Sequence, residues 1–208
     1  MTDIIKRLLD DKHNLLNLAK GDKIPINKGW MRDDSKTLLE KFDVKYDGNV
    51  GIRMGYNNVN NRQLLGLDFD CVMKDPKTGK MVDDEQTTKL KEKYIFDISS
   101  EDGMYQSSTS CNVNVMVDIT DSKLLVTEVS KLPNRWSQNG YNLELLTGGN
   151  MAIPPSKTKD KKTGKLSLAR QYYNDEFVYI VKDDYDPIVE FIINYIQDGA
   201  SKSTKKYT

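Results

Sequence analysis

Asp68 and Asp70 stand at the end of the apolar run LLGLDFD. On a strand, residues two apart project to the same face, so the two carboxylates lie side by side and repel each other unless a cation separates them. Oxygen donors of this kind suit Mg2+ or Mn2+. The plain alternative is a strand end whose aspartates face water. An EF-hand does not fit: counted from Asp68, the third ligand position is Val72 and the required glycine position is Met73. A third acid, Glu144, lies inside the apolar stretch YNLELLTGG, where a carboxylate needs water or a positive partner. It is either a solvent-facing position, a salt-bridge partner of Arg135 or Arg170, or a third carboxylate beside the aspartates. Three carboxylates on neighbouring strands can hold two metal ions for phosphoryl or nucleotidyl transfer. The segment QSSTSCNVNVMVDI adds the hydroxyls of Ser107, Ser108, Thr109 and Ser110, leading into a strand with Asn112, Asn114, Met116 and Asp118 on one face. Hydroxyls, amides and free backbone N–H groups suit a phosphate tail, although a serine-rich turn is more often only a turn.

Two lysine-rich stretches, KDPKTGK at 74–80 and KDKKTGK at 159–165, mimic a phosphate loop but fail its pattern. The first glycine is missing, and Met81 and Leu166 stand where Ser or Thr is needed. Both read as hairpin turns. Residues 157–165 carry Lys157, Lys159, Lys161, Lys162 and Lys165 against one aspartate. They form either a contact to a nucleic-acid backbone or a solvated hairpin tip.

The composition limits the class of molecule that must position these groups. The 208 residues include 31 basic and 31 acidic side chains, 38% hydrophobic and 30% charged, with a mean hydropathy of -0.64. That is a globular composition and excludes a disordered polyelectrolyte. Two cysteines and the single His13 exclude a zinc finger. No apolar run approaches the roughly 20 residues that cross a bilayer, and charges interrupt MTDIIKRLLDDK where a signal peptide would be apolar. The expectation is an intracellular protein with no membrane partner. Zero net charge neither favours nor excludes nucleic acid, because charge segregates on surfaces.

Helical spacing of Ile4, Ile5, Leu8, Leu9, Leu15, Leu16 and Ala19 predicts a helix over 3–19 with Gly21 as its cap. A short helix fits 34–42. Alternation at Val50, Ile52 and Met54, the asparagine-rich turn 57–61 and the run QLLGLDFDCV predict a hairpin. A solvated helix fits 83–94. Strands fit 113–119, 141–146 with a return strand at 151–153, and 177–181. Asp186-Pro187 opens a last helix that Asp198-Gly199 should end. Strands and helices without a regular βαβ rhythm indicate an α+β fold.

In order, GDKIPINKGW, NVGIRMG, LLGLDFD, SSTSCNVNVMV and LELLTGGNMAIPPS followed by RQYYN resemble the primase-polymerase catalytic domain of the archaeo-eukaryotic primase superfamily, found in plasmid, phage and viral replication proteins. The likeness runs over residues 21–174. It implies an RRM-like antiparallel sheet with flanking helices in one catalytic domain, 1–198, followed by a flexible tail, 199–208, that links to a helicase domain in a longer chain. It also implies template-directed nucleotidyl transfer by a two-metal mechanism, with nucleoside triphosphates and a single-stranded or primed DNA template as partners. The family's metal-binding carboxylates fall on Asp68, Asp70 and Glu144, the last often Asp in the family. Lys23, Lys28, Arg53, Ser108, Ser110 and Asn114 become the nucleotide-binding set. Asn114 stands where the family has a phosphate-binding histidine, and a neutral amide supplies no charge. Two other classes stay open: a non-catalytic nucleic-acid-binding replication module with a degenerate fold, and a small RNA-binding domain, which would need stacking aromatics on its central strands.

Overall fold

The computed structural model describes residues 3–69, 73–78, 81–82, 88, 104–106, 113–138, 143–159, 163–166, 171–172 and 186–203. They form an α+β architecture of antiparallel strands with four helices of seven residues or more: α1 (Asp3–Asp10), α2 (Ser35–Lys41), α3 (Lys123–Val129) and α4 (Pro187–Ser203). The strands are β1 (Leu15–Leu18), β2 (Asn49–Arg53), β3 (Gly55–Asn57), β4 (Arg62–Phe69), β5 (Met73–Lys74), β6 (Met81–Val82), β7 (Met104–Gln106), β8 (Val113–Asp118), β9 (Arg135–Ser137), β10 (Leu143–Leu146), β11 (Asn150–Ala152) and β12 (Gln171–Tyr172). No helix among the described residues is long and apolar enough to cross a membrane.

The larger sheet has seven strands in the order β12-β7-β8-β4-β10-β9, with β3 also paired to β4. Strand β4 is its centre, and the period of two splits its side chains cleanly. Leu65, Leu67 and Phe69 meet Val115, Val117, Leu143 and Leu145 in one buried cluster, which α3 and α4 cover with Leu125, Val129, Ile188, Val189 and Ile192. Leu64, Met116 and Leu146 point to the other face and pack with α1 and the smaller sheet through Ile5, Leu8, Met54 and Met151. That smaller sheet, β1-β2-β11, alternates likewise: Leu15, Ile52 and Met151 face the larger sheet, whereas Leu16, Leu18 and Ala152 face Leu38 of α2 and Trp30. Gly66 permits the two sheets to approach. A Cβ there would lie 2.8 Å from Met151 Cε and 3.2 Å from Leu146 Cβ.

Several expected elements differ from those observed. The helix over 3–19 stops at Asp10, because Lys12 adopts φ 58° and Leu15–Leu18 is buried on both faces, which a continuous amphipathic helix cannot provide. Gly21 therefore caps no helix. The 50–69 hairpin is divided at Gly55, which has φ +95°. Strand β3 makes the hairpin with β4, while β2 leaves for the smaller sheet between β1 and β11. The return strand β11 likewise crosses to β2 and does not pair with β10. Helix α4 begins as expected, with Asp186 Oδ1 accepting from the Ile188 N–H at 2.9 Å, but runs through Gly199 to Ser203. Gly199 packs so closely on Trp136 and Gln138 of the β9 segment that a Cβ would meet both within 2.7 Å. The 34–42 helix is α2, with Asp34 accepting from Thr37 N at 2.7 Å. In the 74–80 stretch, residues 76–78 turn after β5, and β5 pairs with β6, Met73 with Val82 and Lys74 with Met81; 79 and 80 lie outside the described residues. The strand at 177–181 lies outside the described residues, as does the helix at 83–94 apart from Thr88.

Candidate metal and nucleotide site

Asp68 sits on β4 on the face away from α3 and α4, one pair beyond Gly66. Its register partner on β8 is Asn114, and its partner on β10 is Glu144. Glu144 in turn opposes Ser137 of β9. Asn114, Asp68, Glu144 and Ser137 thus form one row across four adjacent strands. Directly opposed side chains have Cβ atoms about 4.5–5.5 Å apart, so Asp68 and Glu144 are neighbours because of the sheet register and not because of any local motif.

Each carboxylate is tied on its outer side. The Asn114 amide Nδ2 donates to Asp68 Oδ1, and the Arg135 guanidinium Nε donates to Glu144 Oε1. No other hydrogen bond to either carboxylate falls among the described residues. Asn114 is buried and Asp68 half-buried. The Glu144 side chain is 12% exposed and that of Arg135 73%. Of the two salt-bridge partners considered for Glu144, Arg135 is thus the one seen, and Arg170 lies outside the described residues.

Asp118, the other acid on the Asn114 face of β8, is used differently. It opposes Leu64, accepts from Arg62 Nη1 at 2.9 Å and from Thr120 N at 2.9 Å, and is buried. Four residues of strand, about 13 Å, separate it from the Asp68 row. It stabilises the far end of the sheet.

An all-oxygen pair on a rigid sheet fits Mg2+ or Mn2+ in donor type. Among the described residues, no three His, Cys, Asp or Glu side chains gather closely enough to hold an ion. Asp70, expected as the second aspartate of the pair, lies outside them, as do Ser108 and Ser110.

Part of the expected nucleotide-binding set is brought together elsewhere. Arg53 ends β2 opposite Asn150 of β11, and Asn150 Nδ2 donates to the Lys23 carbonyl at 3.0 Å. Arg53 Nη1 donates to the Asp33 carbonyl at 2.5 Å, and its buried Nε has no hydrogen-bond partner among the described residues. Desolvation pushes this guanidinium below its ordinary value, against the opposing pull of Asp33. Lys23 and Lys28 are exposed, and nothing among the described residues ties Lys28 to Arg53.

The lysine turn docks on the loop that carries Lys23. Lys159 N–H donates to Gly21 O at 2.8 Å, and Lys159 bridges to Leu166, as a hairpin requires. Buried Asn49 donates to the Asp22 carbonyl at 2.8 Å and to the Lys157 carbonyl at 2.5 Å, while Lys157 N donates back to Asn49 Oδ1 at 2.9 Å. Lys157, Lys159 and Lys165 are exposed; Lys161 and Lys162 lie outside the described residues. Asn49 and Asn150 were not among the candidate residues. Their types gave no signal, since an asparagine that ties two loops together looks in sequence like any turn asparagine.

No protein-family model matches the chain, and no curated protein matches it.

Proposed function

We propose that the chain is a template-directed nucleotidyltransferase, a DNA primase/polymerase of the primase-polymerase type with an RRM-like core, acting in replication of a mobile element or virus. The observation that carries this reading is the register setting Glu144 directly against Asp68 on the central strands. Two carboxylates 76 residues apart in sequence, 144 less 68, become adjacent on one face, and both were candidates for one metal site on independent motifs. Asp68, Glu144 and Asp70 are the residues that would hold Mg2+ or Mn2+. Such ions, when bound, supply Lewis-acid stabilisation of the charge developing at the α-phosphate.

The protein's own part is positional. Strand β4 fixes Asp68, β10 fixes Glu144, and the Asn114 amide sets the orientation of Asp68. Arg53, Lys23 and Lys28 are the cations assigned to the triphosphate or the template. Asn114 stands where the family has a histidine, and its amide is directed at Asp68, so here it positions that carboxylate.

A second reading has an observation in its favour. Asn114 and Arg135 already satisfy one oxygen on each carboxylate, as they would in a non-catalytic nucleic-acid-binding module that kept the fold. Incorporation of labelled nucleotide on a primed template with Mg2+ or Mn2+ separates the two. Metal-dependent extension that falls at least about a hundredfold in Asp68→Ala supports catalysis. Template binding without incorporation by the wild-type chain supports the module.

A further inference from the structure

The two carboxylates of the row are held by chemically different partners. Asn114 orients Asp68 without neutralising it, because an amide carries no charge. Arg135 both orients and neutralises Glu144. Arg135, on the three-residue strand β9, opposes Leu146 of β10, two register pairs along from Ser137–Glu144 and on the same face, so its guanidinium reaches Glu144 diagonally from the β9 side of the row. The exposures are also unequal, 73% for Arg135 and 12% for Glu144. The guanidinium can return to water at little cost, whereas the carboxylate cannot. An ion pair with one partner so exposed gains little net stability, because solvent screens that partner. That is too weak to exclude a divalent ion carrying twice the charge, yet enough to compete with it.

We propose that Arg135 is a positioning residue that serves as an exchangeable counter-cation: it neutralises Glu144 and holds it beside Asp68 in the metal-free protein, and it yields the carboxylate when Mg2+ or Mn2+ binds. This rests on the metal-site reading above. Without the guanidinium, Glu144 and Asp68 face each other as unshielded like charges, which disfavours the metal-free state and favours any cation that enters between them.

The test is Mn2+ binding by the complete 208-residue chain, followed by the paramagnetic resonance of free Mn2+, with thermal unfolding with and without Mn2+ as a second readout. Arg135→Gln is expected to bind Mn2+ roughly two- to fivefold more tightly than wild type, the factor that removal of a competing exposed ion pair provides. Its unfolding temperature should fall without Mn2+ and rise more steeply on adding it. Arg135→Lys, which keeps the charge, should stay close to wild type. Glu144→Gln and the double variant Arg135→Gln/Glu144→Gln should bind equally weakly, since Arg135 acts only through Glu144. If Arg135→Gln does not fold by circular dichroism, Arg135→Met, of similar length, carries the same expectation. Wild type binding Mn2+, Asp68→Asn losing it and Arg135→Gln binding no more tightly than wild type would overturn the counter-cation role and leave the metal site standing. Equal Mn2+ binding by wild type and Asp68→Asn, or none by either, would overturn the metal site and the role together.

Discussion

The amide of Asn114 occupies the place in the row where a charged group would alter the chemistry most. It donates to Asp68 Oδ1 from a buried position, so two substitutions at this position should behave differently. Asn114→Ala removes a donor and should cost about 1–3 kcal/mol in urea unfolding. Asn114→Asp removes the donor and adds a like charge beside Asp68; it should destabilise the metal-free protein further and recover part of the loss when Mn2+ is added. Equal stability of the two variants with and without Mn2+ would contradict an orienting role. His13 provides a separate pH dependence. Burial pushes its imidazole below the ordinary 6.5, against the opposing charges of Asp11 and Asp118 and with a smaller push in the same direction from Arg62. The unfolded chain then takes up a proton that the folded chain refuses, so the stabilising contribution is complete above pH 6.5 and is lost as the pH falls from there toward the depressed folded value. Urea midpoints of wild type should drop between about pH 7.5 and about pH 5.5, and His13→Gln should flatten that part of the profile.

At the scale of elements, β4 carries both the fold and the site. Its odd-numbered residues build the core under α3 and α4, its even-numbered residues meet the smaller sheet, and Asp68 is the first of the latter beyond that cover. Gly66 sets where the cover ends. Gly66→Ala would bring a Cβ against Met151 and Leu146 and should cost about 1–3 kcal/mol in thermal or urea unfolding, the range for overpacking. Asp118→Asn should destabilise through the Arg62 pair yet leave Mn2+ affinity unchanged. Failure of Asp118→Asn to bind Mn2+, with Glu144→Gln binding normally, would exchange the roles assigned to these two acids. The short elements α3 and β9 had no visible periodicity. Seven residues give barely two turns and three residues give one alternation; only the buried cap Ser122, accepting from Leu125 N at 3.2 Å, marks where α3 starts.

Over the whole molecule, the basic surface is assembled from distant segments. Asn49 on β2 joins the loop at Asp22 to Lys157, which lies 108 positions beyond Asn49, and places exposed Lys157 and Lys159 beside the loop that carries Lys23. If this surface meets a nucleic-acid backbone, changing Lys157, Lys159 and Lys165 to glutamine should reduce the salt slope of template binding by about one unit for each phosphate that the turn no longer neutralises. It should leave Mn2+ binding untouched. Unchanged affinity at every salt concentration would identify the turn as a solvated hairpin tip. Asn49→Ala, which frees the turn from the loop while keeping every lysine, should weaken binding with a smaller change in that slope.

Sequence alone determined what depends on neighbours in the chain. The α+β class, the short helix at 34–42, the cap at Asp186, the turns of the two lysine-rich stretches and the strand character around Asp68, Asn114 and Glu144 follow from spacing, capping chemistry and period-two alternation. It also made Arg135 one of two possible partners for Glu144. What it could not determine was which strand pairs with which. Leu15–Leu18 reads as a helical face until it is seen to be buried on both sides, and β2 and β11 look like halves of local hairpins although they pair with each other. A strand's edge bonds equally well to any partner of matching alternation, so the choice is made by which apolar faces can be covered together. Glu144 meets Asp68, and not Asp118, because Gly66 and Leu146 bring β10 into register on that end of β4, a long-range packing decision that no local pattern encodes.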